Sequence, residues 1–197
     1  MDGAGRNALE RKVAALLDQR NLRDAAGEAI RGYGPEIAAY LRAVLRDPWE
    51  ADEVFSRFCE KAWLGLPLFR RASSVRTWLY AIANNAARDF QQENAGGRTR
   101  RLHTGEHSQL AAEVLSSLPA YAKGSAADAL ARLRQSLEPE EQSLLTLRLY
   151  AGLSWKQVAE VLSASGRPLD QAAVRKRFER LKTKLREMAA AAGLLGR

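Results

Sequence analysis

A chain of 197 residues, 46% hydrophobic and 27% charged, suits one or two small globular domains and is not the composition of a chain disordered throughout. The net charge of +8 at pH 7 favours a polyanionic partner, because each phosphate contact releases condensed counterions; charge alone leaves nucleic acid and anionic lipid both open. No apolar run is long enough to span a bilayer and the N-terminus lacks a signal-peptide core, so no membrane insertion is expected and the chain is placed in the cytoplasm. The single cysteine, Cys59, excludes an intrachain disulfide and falls on an apolar helix face, where a buried structural thiol is expected.

Asn7 and Glu10 read as a capping pair ahead of Leu9, Val13, Leu16 and Leu17, so the chain is expected to begin with a short amphipathic helix. No function attaches to it. A second helix is expected from Asp24 to Arg31, ending at Gly32, with Gly34-Pro35 starting a third that turns Ile37, Leu41, Val44 and Leu45 inward. Asp47-Pro48-Trp49-Glu50 is a compact start signal: a capping aspartate, proline at the first helical position and an acid in the first turn. That helix is expected to run to Gly65.

From Phe69 to Gln92 the sequence combines an apolar stripe with a polar face. Ser73 or Ser74 can cap a helix whose Val75, Trp78, Leu79, Ile82, Ala83, Ala86 and Phe90 recur at helical spacing. Away from that stripe lie Arg76, Tyr80, Asn84, Asn85 and Arg88: cations for phosphates, amides for base edges and a ring for stacking. On these residues alone, a merely solvated face and a nucleic-acid face both stand. From Asn94 to His107 the periodicity stops, and glycine, threonine and arginine mark a linker in which Arg98, Arg100 and Arg101 either touch nucleic acid or are simply solvated. His103 and His107 lack further ligands to support a metal site. Weak helices are expected at 108–117 and 125–137.

Pro139 suits the first turn of a largely buried helix carrying Leu144, Leu145, Leu147, Leu149 and Tyr150, stopped by Gly152. Ser154 and Gln157 form a capping box for the next helix, and Asp170 caps a last, long one whose stripe is Val174, Phe178, Leu181, Leu185 and Met188. Arginines and lysines crowd the rest of that helix. Short helix, turn, basic helix is the helix-turn-helix pattern, whose second helix enters the major groove.

The stretch FRRASSVRTWLYAIANNAARDF, from Phe69 to Phe90, resembles the second conserved region of bacterial sigma-70-family factors of the extracytoplasmic-function type. That pattern reads close to F-R-G-x-S-S-x-R-T-W-L-Y-R-I-A-x-N-x-A-x-D, and the chain departs from it at Arg71, where glycine is usual, and at Ala81. The resemblance implies a loop, Arg70 to Ser74, that captures a base flipped from the minus-ten promoter element. Flipping costs a few kcal/mol, which a shaped pocket and stacking must offset. The implied minus-ten set is Arg70, Arg71, Ser73, Ser74, Arg76, Asn85 and Arg88. ADEVFSRFCEKAW, from Ala51 to Trp63, resembles the family's polymerase-binding helix, with Asp52, Glu53, Arg57 and Glu60 on the implied docking face; the usual Gln-Glu pair is Ser56-Arg57, which reverses one charge. The C-terminal pair of helices resembles the fourth region, which implies Arg175, Lys176, Glu179 and Arg180 as contacts to the minus-thirty-five element, after a turn several residues longer than usual.

The expectation is therefore an all-α chain of two helical domains joined by a flexible linker. Its parts are an N-terminal extension at 1–28, a region 2-like domain at 29–93, a linker at 94–131, a region 4-like helix-turn-helix domain at 132–190 and a tail at 191–197. The implied partners are bacterial core RNA polymerase and promoter DNA, and many family members are also held by an anti-sigma factor. No Gly-rich phosphate loop, nucleophile and base pair or metal cluster is present in the sequence, so no catalytic residue and no cofactor are expected. The main alternative is a helix-turn-helix regulator that binds duplex DNA without polymerase.

Overall fold

The computed structural model describes residues 2–45, 47–95, 106–117, 136–164, 166 and 168–192, and among these the regular structure is helical. The chain divides into two units, Met1–Leu118 and Pro119–Arg197. The first holds helices α1 (Gly3–Asp18), α2 (Leu22–Val44), α3 (Pro48–Gly65), α4 (Val75–Ala95) and α5 (Glu106–Ser116), with a 3-10 turn at Leu66–Leu68. The second holds α6 (Pro139–Leu149), α7 (Trp155–Ser163) and α8 (Gln171–Ala191).

Helix α1 starts a turn and more earlier than Asn7: the Asp2 carboxylate accepts from the Gly5 N–H at 2.8 Å. Glu10 is thereby released from any capping duty on α1. Val13 is fully buried, and α1 packs on α2. The expected break at Gly32 does not occur; α2 is one helix through Pro35. An interior proline costs about 3 kcal/mol. Pro35 is exposed, while Ile30, Tyr33, Ile37 and Leu41 on either side of it are buried, and each such side chain returns about 1.5–3 kcal/mol. The glycines serve packing instead of termination. A Cβ at Gly32 would lie 2.2 Å from Leu9 Cδ2, and one at Gly34 would lie 3.1 Å from the Val114 methyls.

The start of α3 is as expected: Asp47 accepts from the Trp49 and Glu50 N–H groups at 2.8 and 3.0 Å. Phe55, Phe58, Cys59 and Ala62 are buried, and burial pushes the Cys59 thiol's pKa up, keeping it protonated and inert. Residues 108–117 were expected as a weak helix within the linker at 94–131, and the helix forms, starting two residues earlier. This helix, α5, packs on α2 and α3 through buried Leu110, Ala111 and Val114. Arg23 pairs with Glu106, and Arg31 with Glu113 at 3.4 Å. Weak periodicity sufficed because the close approach at Gly34 leaves a seat for Val114. Arg98, Arg100, Arg101 and His103, and most of the expected helix at 125–137, lie outside the described residues.

Among the described residues, the second unit packs α6, α7 and α8 around Leu137, Leu147, Leu153, Val158, Val161, Val174 and Leu181. Leu149 and Tyr150, expected inside, are 61% and 65% exposed, because α6 ends there and Gly152 turns the chain at φ +65°. The Ser154–Gln157 box forms, with Ser154 N–H donating to Gln157 at 2.9 Å, and Asp170 caps α8 by accepting from Ala173 N–H at 2.6 Å. Glu141 ties the cluster together: it accepts from the Glu138 N–H at 3.0 Å and from Lys184 at 2.6 Å.

Partial burial would raise the Glu141 pKa, but the bonds from Lys184 and the Glu138 N–H outweigh it and hold the pKa below the ordinary 4.5. A lowered carboxylate pKa stabilises the fold above about pH 4.5, and that stability is lost as the pH falls through the folded value. Glu141→Gln is expected to cost under about 1 kcal/mol at neutral pH, since Lys184 is partly exposed, and to flatten the acid limb of stability in urea titrations between neutral and acidic buffer.

Candidate nucleic-acid interface

Between the 3-10 turn and α4, the loop 69–74 is held from both ends. Ser74 caps α4, its hydroxyl accepting from Thr77 N–H at 3.1 Å and lying 2.9 Å from the Thr77 hydroxyl. Ser73 donates to the Ser74 carbonyl at 3.3 Å. The first two amides of α4, Val75 and Arg76, donate to the Glu10 carboxylate from α1, both at 3.0 Å. Arg70 and Arg71 are exposed. Arg71 has φ +57°, the left-handed conformation that glycine adopts freely and other residues adopt at a cost of about 1–2 kcal/mol. Glycine suits this position for that reason. The arginine accepts the strain and pairs with Asp18 of α1 at 2.7 Å.

The polar face expected on α4 divides in two. Arg76, Tyr80 and Asn84 turn inward toward α2. The Arg76 guanidinium is 7% exposed and forks onto Glu36, Nε donating at 2.6 Å and Nη2 at 3.0 Å. Burial alone would lower its pKa, but the Glu36 carboxylate outweighs burial and raises it. Tyr80 is buried edge-on against Tyr40 at 5.4 Å, and the Tyr40 hydroxyl donates to Asn84 Oδ1 at 2.9 Å. Trp78 and Ile82, expected in the buried stripe, are instead half-exposed, and Trp78 stacks on Phe69 at 5.1 Å. Asn85 and Arg88, one turn apart, are half-buried on that same outer side. Arg76 is thus corrected from a phosphate-facing cation to an interior one, because α2 supplies Glu36 opposite it.

On α3 the charges expected to face outward are largely engaged within the unit. Asp52 accepts from Arg42 of α2 at 2.9 and 3.2 Å. Arg57, with its side chain 14% exposed, bonds Glu53 at 3.2 Å and Glu93 of α4 at 2.7 Å and covers the Phe90 ring at 5.0 Å. The reversed charge is therefore neutralised by two carboxylates. Burial would lower the Arg57 pKa, but those carboxylates outweigh it and raise it. Lys61 reaches Asp89 at 2.8 Å, and Asn94 donates to Glu50 at 3.1 Å, completing a polar ladder between α3 and α4. Glu60 is half-buried.

In the second unit, Arg175, Lys176, Glu179 and Arg180 all stand exposed on the side of α8 opposite buried Val174, Phe178 and Leu181. Glu179 bonds Lys182 at 2.6 Å. The long turn before α8 closes on itself: the Ser163 hydroxyl accepts from Leu169 N–H at 2.8 Å and donates to the Leu169 carbonyl at 3.2 Å. Trp155 packs edge-on to Phe178 at 5.2 Å, with Arg148 over its ring at 4.5 Å and Arg175 at 6.0 Å. Glu36 and Trp155 were not singled out by the sequence, and Glu10 was read only as a cap for its own helix. A signal existed only for Trp155, an aromatic just inside a capped helix start.

No helix among the described residues is long and apolar enough to cross a membrane. Residues 29–95 match the family model Sigma-70 region 2. The chain is 29% identical to the RNA polymerase sigma factor YlaC of Bacillus subtilis (strain 168), covering 84% of this chain and 96% of that protein. Its fold resembles that of the sigma factor RpoE from Bartonella quintana, crystallised in complex with the anti-sigma factor NepR, with a TM-score of 0.57 at 15% identity over 79% of this chain and 91% of that one.

If Arg76 serves the interior, Arg76→Ala should leave Glu36 without its buried partner and lower stability by about 3 kcal/mol, read from urea unfolding. A variant as stable as the parent but weaker only toward DNA would return Arg76 to the outer face.

Proposed function

The chain belongs to the sigma-70 family, in its extracytoplasmic-function type, and we propose that it binds core RNA polymerase, directs it to specific promoters and promotes strand opening at the start of transcription. The observation that carries this reading is the order of parts in one chain: a region 2 match at residues 29–95, followed by a helix-turn-helix whose basic side stands exposed. The family is not an enzyme family, and the chain has no catalytic residue, metal or cofactor in this reading. It works in the cytoplasm, where the polymerase is.

In the first unit, the loop from Arg70 to Ser74 receives the flipped minus-ten base. Asn85 and Arg88, with Trp78 beside them, face the opened strand. Asp52, Glu53, Arg57 and Glu60 form the surface toward core polymerase, with Arg57 acting through its carboxylate partners as part of a fixed charge array rather than as a lone cation. In the second unit, Arg175, Lys176, Glu179 and Arg180 meet the minus-thirty-five element in the major groove, while Lys182, Lys184 and Arg186 add salt-dependent attraction to the backbone. Residues 29–93 and 132–190 are the two working modules, the first extended by α1 and α5. An anti-sigma factor completes the set of partners; RpoE, the fold relative, was crystallised with one.

The test is co-elution of the purified chain with bacterial core RNA polymerase at moderate salt. A stoichiometric complex is expected; retention of duplex DNA with no complex would instead support a regulator that acts without polymerase. Within that complex, replacing Asn85 and Arg88 together with alanine should reduce promoter opening, measured by permanganate reactivity of unpaired thymines, about tenfold or more while core affinity stays within about twofold. Equal loss of both would refute the role given to that face.

A further inference from the structure

Helix α1 has no part in the function described so far, yet two of its acids reach the strand-capture loop. Glu10 accepts from the N–H groups of Val75 and Arg76 at 3.0 Å each, and its Oε1 also accepts from the Tyr33 hydroxyl at 2.9 Å. Two turns further along α1, Asp18 bonds Arg71 at 2.7 Å. The two contacts differ in weight. Asp18 and Arg71 are 66% and 47% exposed, and an open pair of that kind contributes under about 1 kcal/mol. Glu10 is half-buried and placed at the positive end of a long helix, with two amides and a hydroxyl donating to it. It is also held rigidly. Val13 is buried on the next turn, Leu9 sits against Gly32, and the Tyr33 hydroxyl is fixed from α2.

The loop from Arg70 to Ser74 ends where α4 begins, so whatever fixes the first turn of α4 fixes the exit of the loop. We propose that Glu10 is a positioning residue for strand capture: its carboxylate sets the start of α4 against α1 and α2 and so holds the capture loop ready. This rests on the reading of that loop as the minus-ten pocket. A second consequence is electrostatic. The two α4 amides would otherwise offer an anion site to a phosphate of the opened strand, but the protein's own carboxylate fills it. Strand phosphates must therefore be met by side chains, and Arg71, held only by its open pair with Asp18, is able to exchange that partner for a phosphate.

The experiment uses the full chain in complex with core polymerase, and a pool of single-stranded DNA with randomised bases enriched on the wild-type complex. Glu10→Gln keeps size and shape but presents only one good acceptor to two amides. It should weaken capture of the enriched strand about tenfold, with core affinity and duplex binding within about twofold of wild type. Val75→Pro removes one of the two amides while leaving Glu10 in place, at a first helical position that tolerates proline but at the loss of a buried valine side chain, and should produce the same split, about threefold. Three results overturn the proposal: strand capture unchanged in both variants; core affinity falling in parallel with capture, which would make Glu10 merely structural; or stronger capture by Glu10→Gln, which would make α1 a gate. A wild-type complex that captures no strand would overturn the minus-ten reading itself, and that outcome is separable because it appears without any substitution.

Discussion

A buried fork between Arg76 and Glu36 orients the first unit. A guanidinium can leave water only with a fixed carboxylate opposite it, so α4 must present Arg76 toward α2 and cannot rotate without breaking that pair. Tyr80 and Asn84 follow Arg76 inward on the same side of the helix, meeting Tyr40. Trp78 and Ile82 are left half-exposed by the same rotation, with Asn85 and Arg88 half-buried. The surface proposed to face the opened strand is thus set by an interior contact. Its position depends in turn on α2 being one helix, because a break at Gly32 would detach Tyr33 and Glu36 from the part of the helix that precedes them.

The chain's positive charge is used differently in its two units. In the first, Arg42, Arg57, Lys61, Arg71 and Arg76 are each joined to an acid of the same unit. Those cations hold helices together, and the partly buried ones carry most of that weight. In the second, Arg177, Lys182 and Lys184 are also joined to acids, while Arg175, Lys176 and Arg180 stand exposed along α8. A first module that recognises shape, a captured base and a protein surface needs fixed geometry, whereas a module docking on duplex DNA gains from accessible cations that displace counterions.

Arg71 and Arg57 are two of the places where the chain departs from the sigma-70 pattern that it resembles, and each has a partner in the fold. The left-handed backbone at Arg71 explains why glycine is usual there, and Asp18 gives the substituting side chain a partner. The reversed charge at Arg57 is enclosed by Glu53 and Glu93.

Local chemistry was legible in the sequence. Asp47-Pro48, the Ser154–Gln157 box, Asp170 and Gly152 mark helix ends, because a cap is a bond between residues a few positions apart and needs no knowledge of the fold. The motif at 69–90 and the basic last helix were equally visible and led to the family. Long-range partnership was not. A helical wheel sorts residues by polarity, so it sent Arg76, Tyr80 and Asn84 outward and Trp78 inward; only the packing of α2 against α4, with Glu36 and Tyr40 in place, reversed them. The same limit made Gly32 and Gly34 look like breaks when they are points of close approach, and made Glu10 look like a cap for its own helix. Sequence by itself determined the all-helical class, several helix ends and the family resemblance; tertiary structure alone decided which polar groups are interior, because burying a charge depends on a partner that lies far away in the chain.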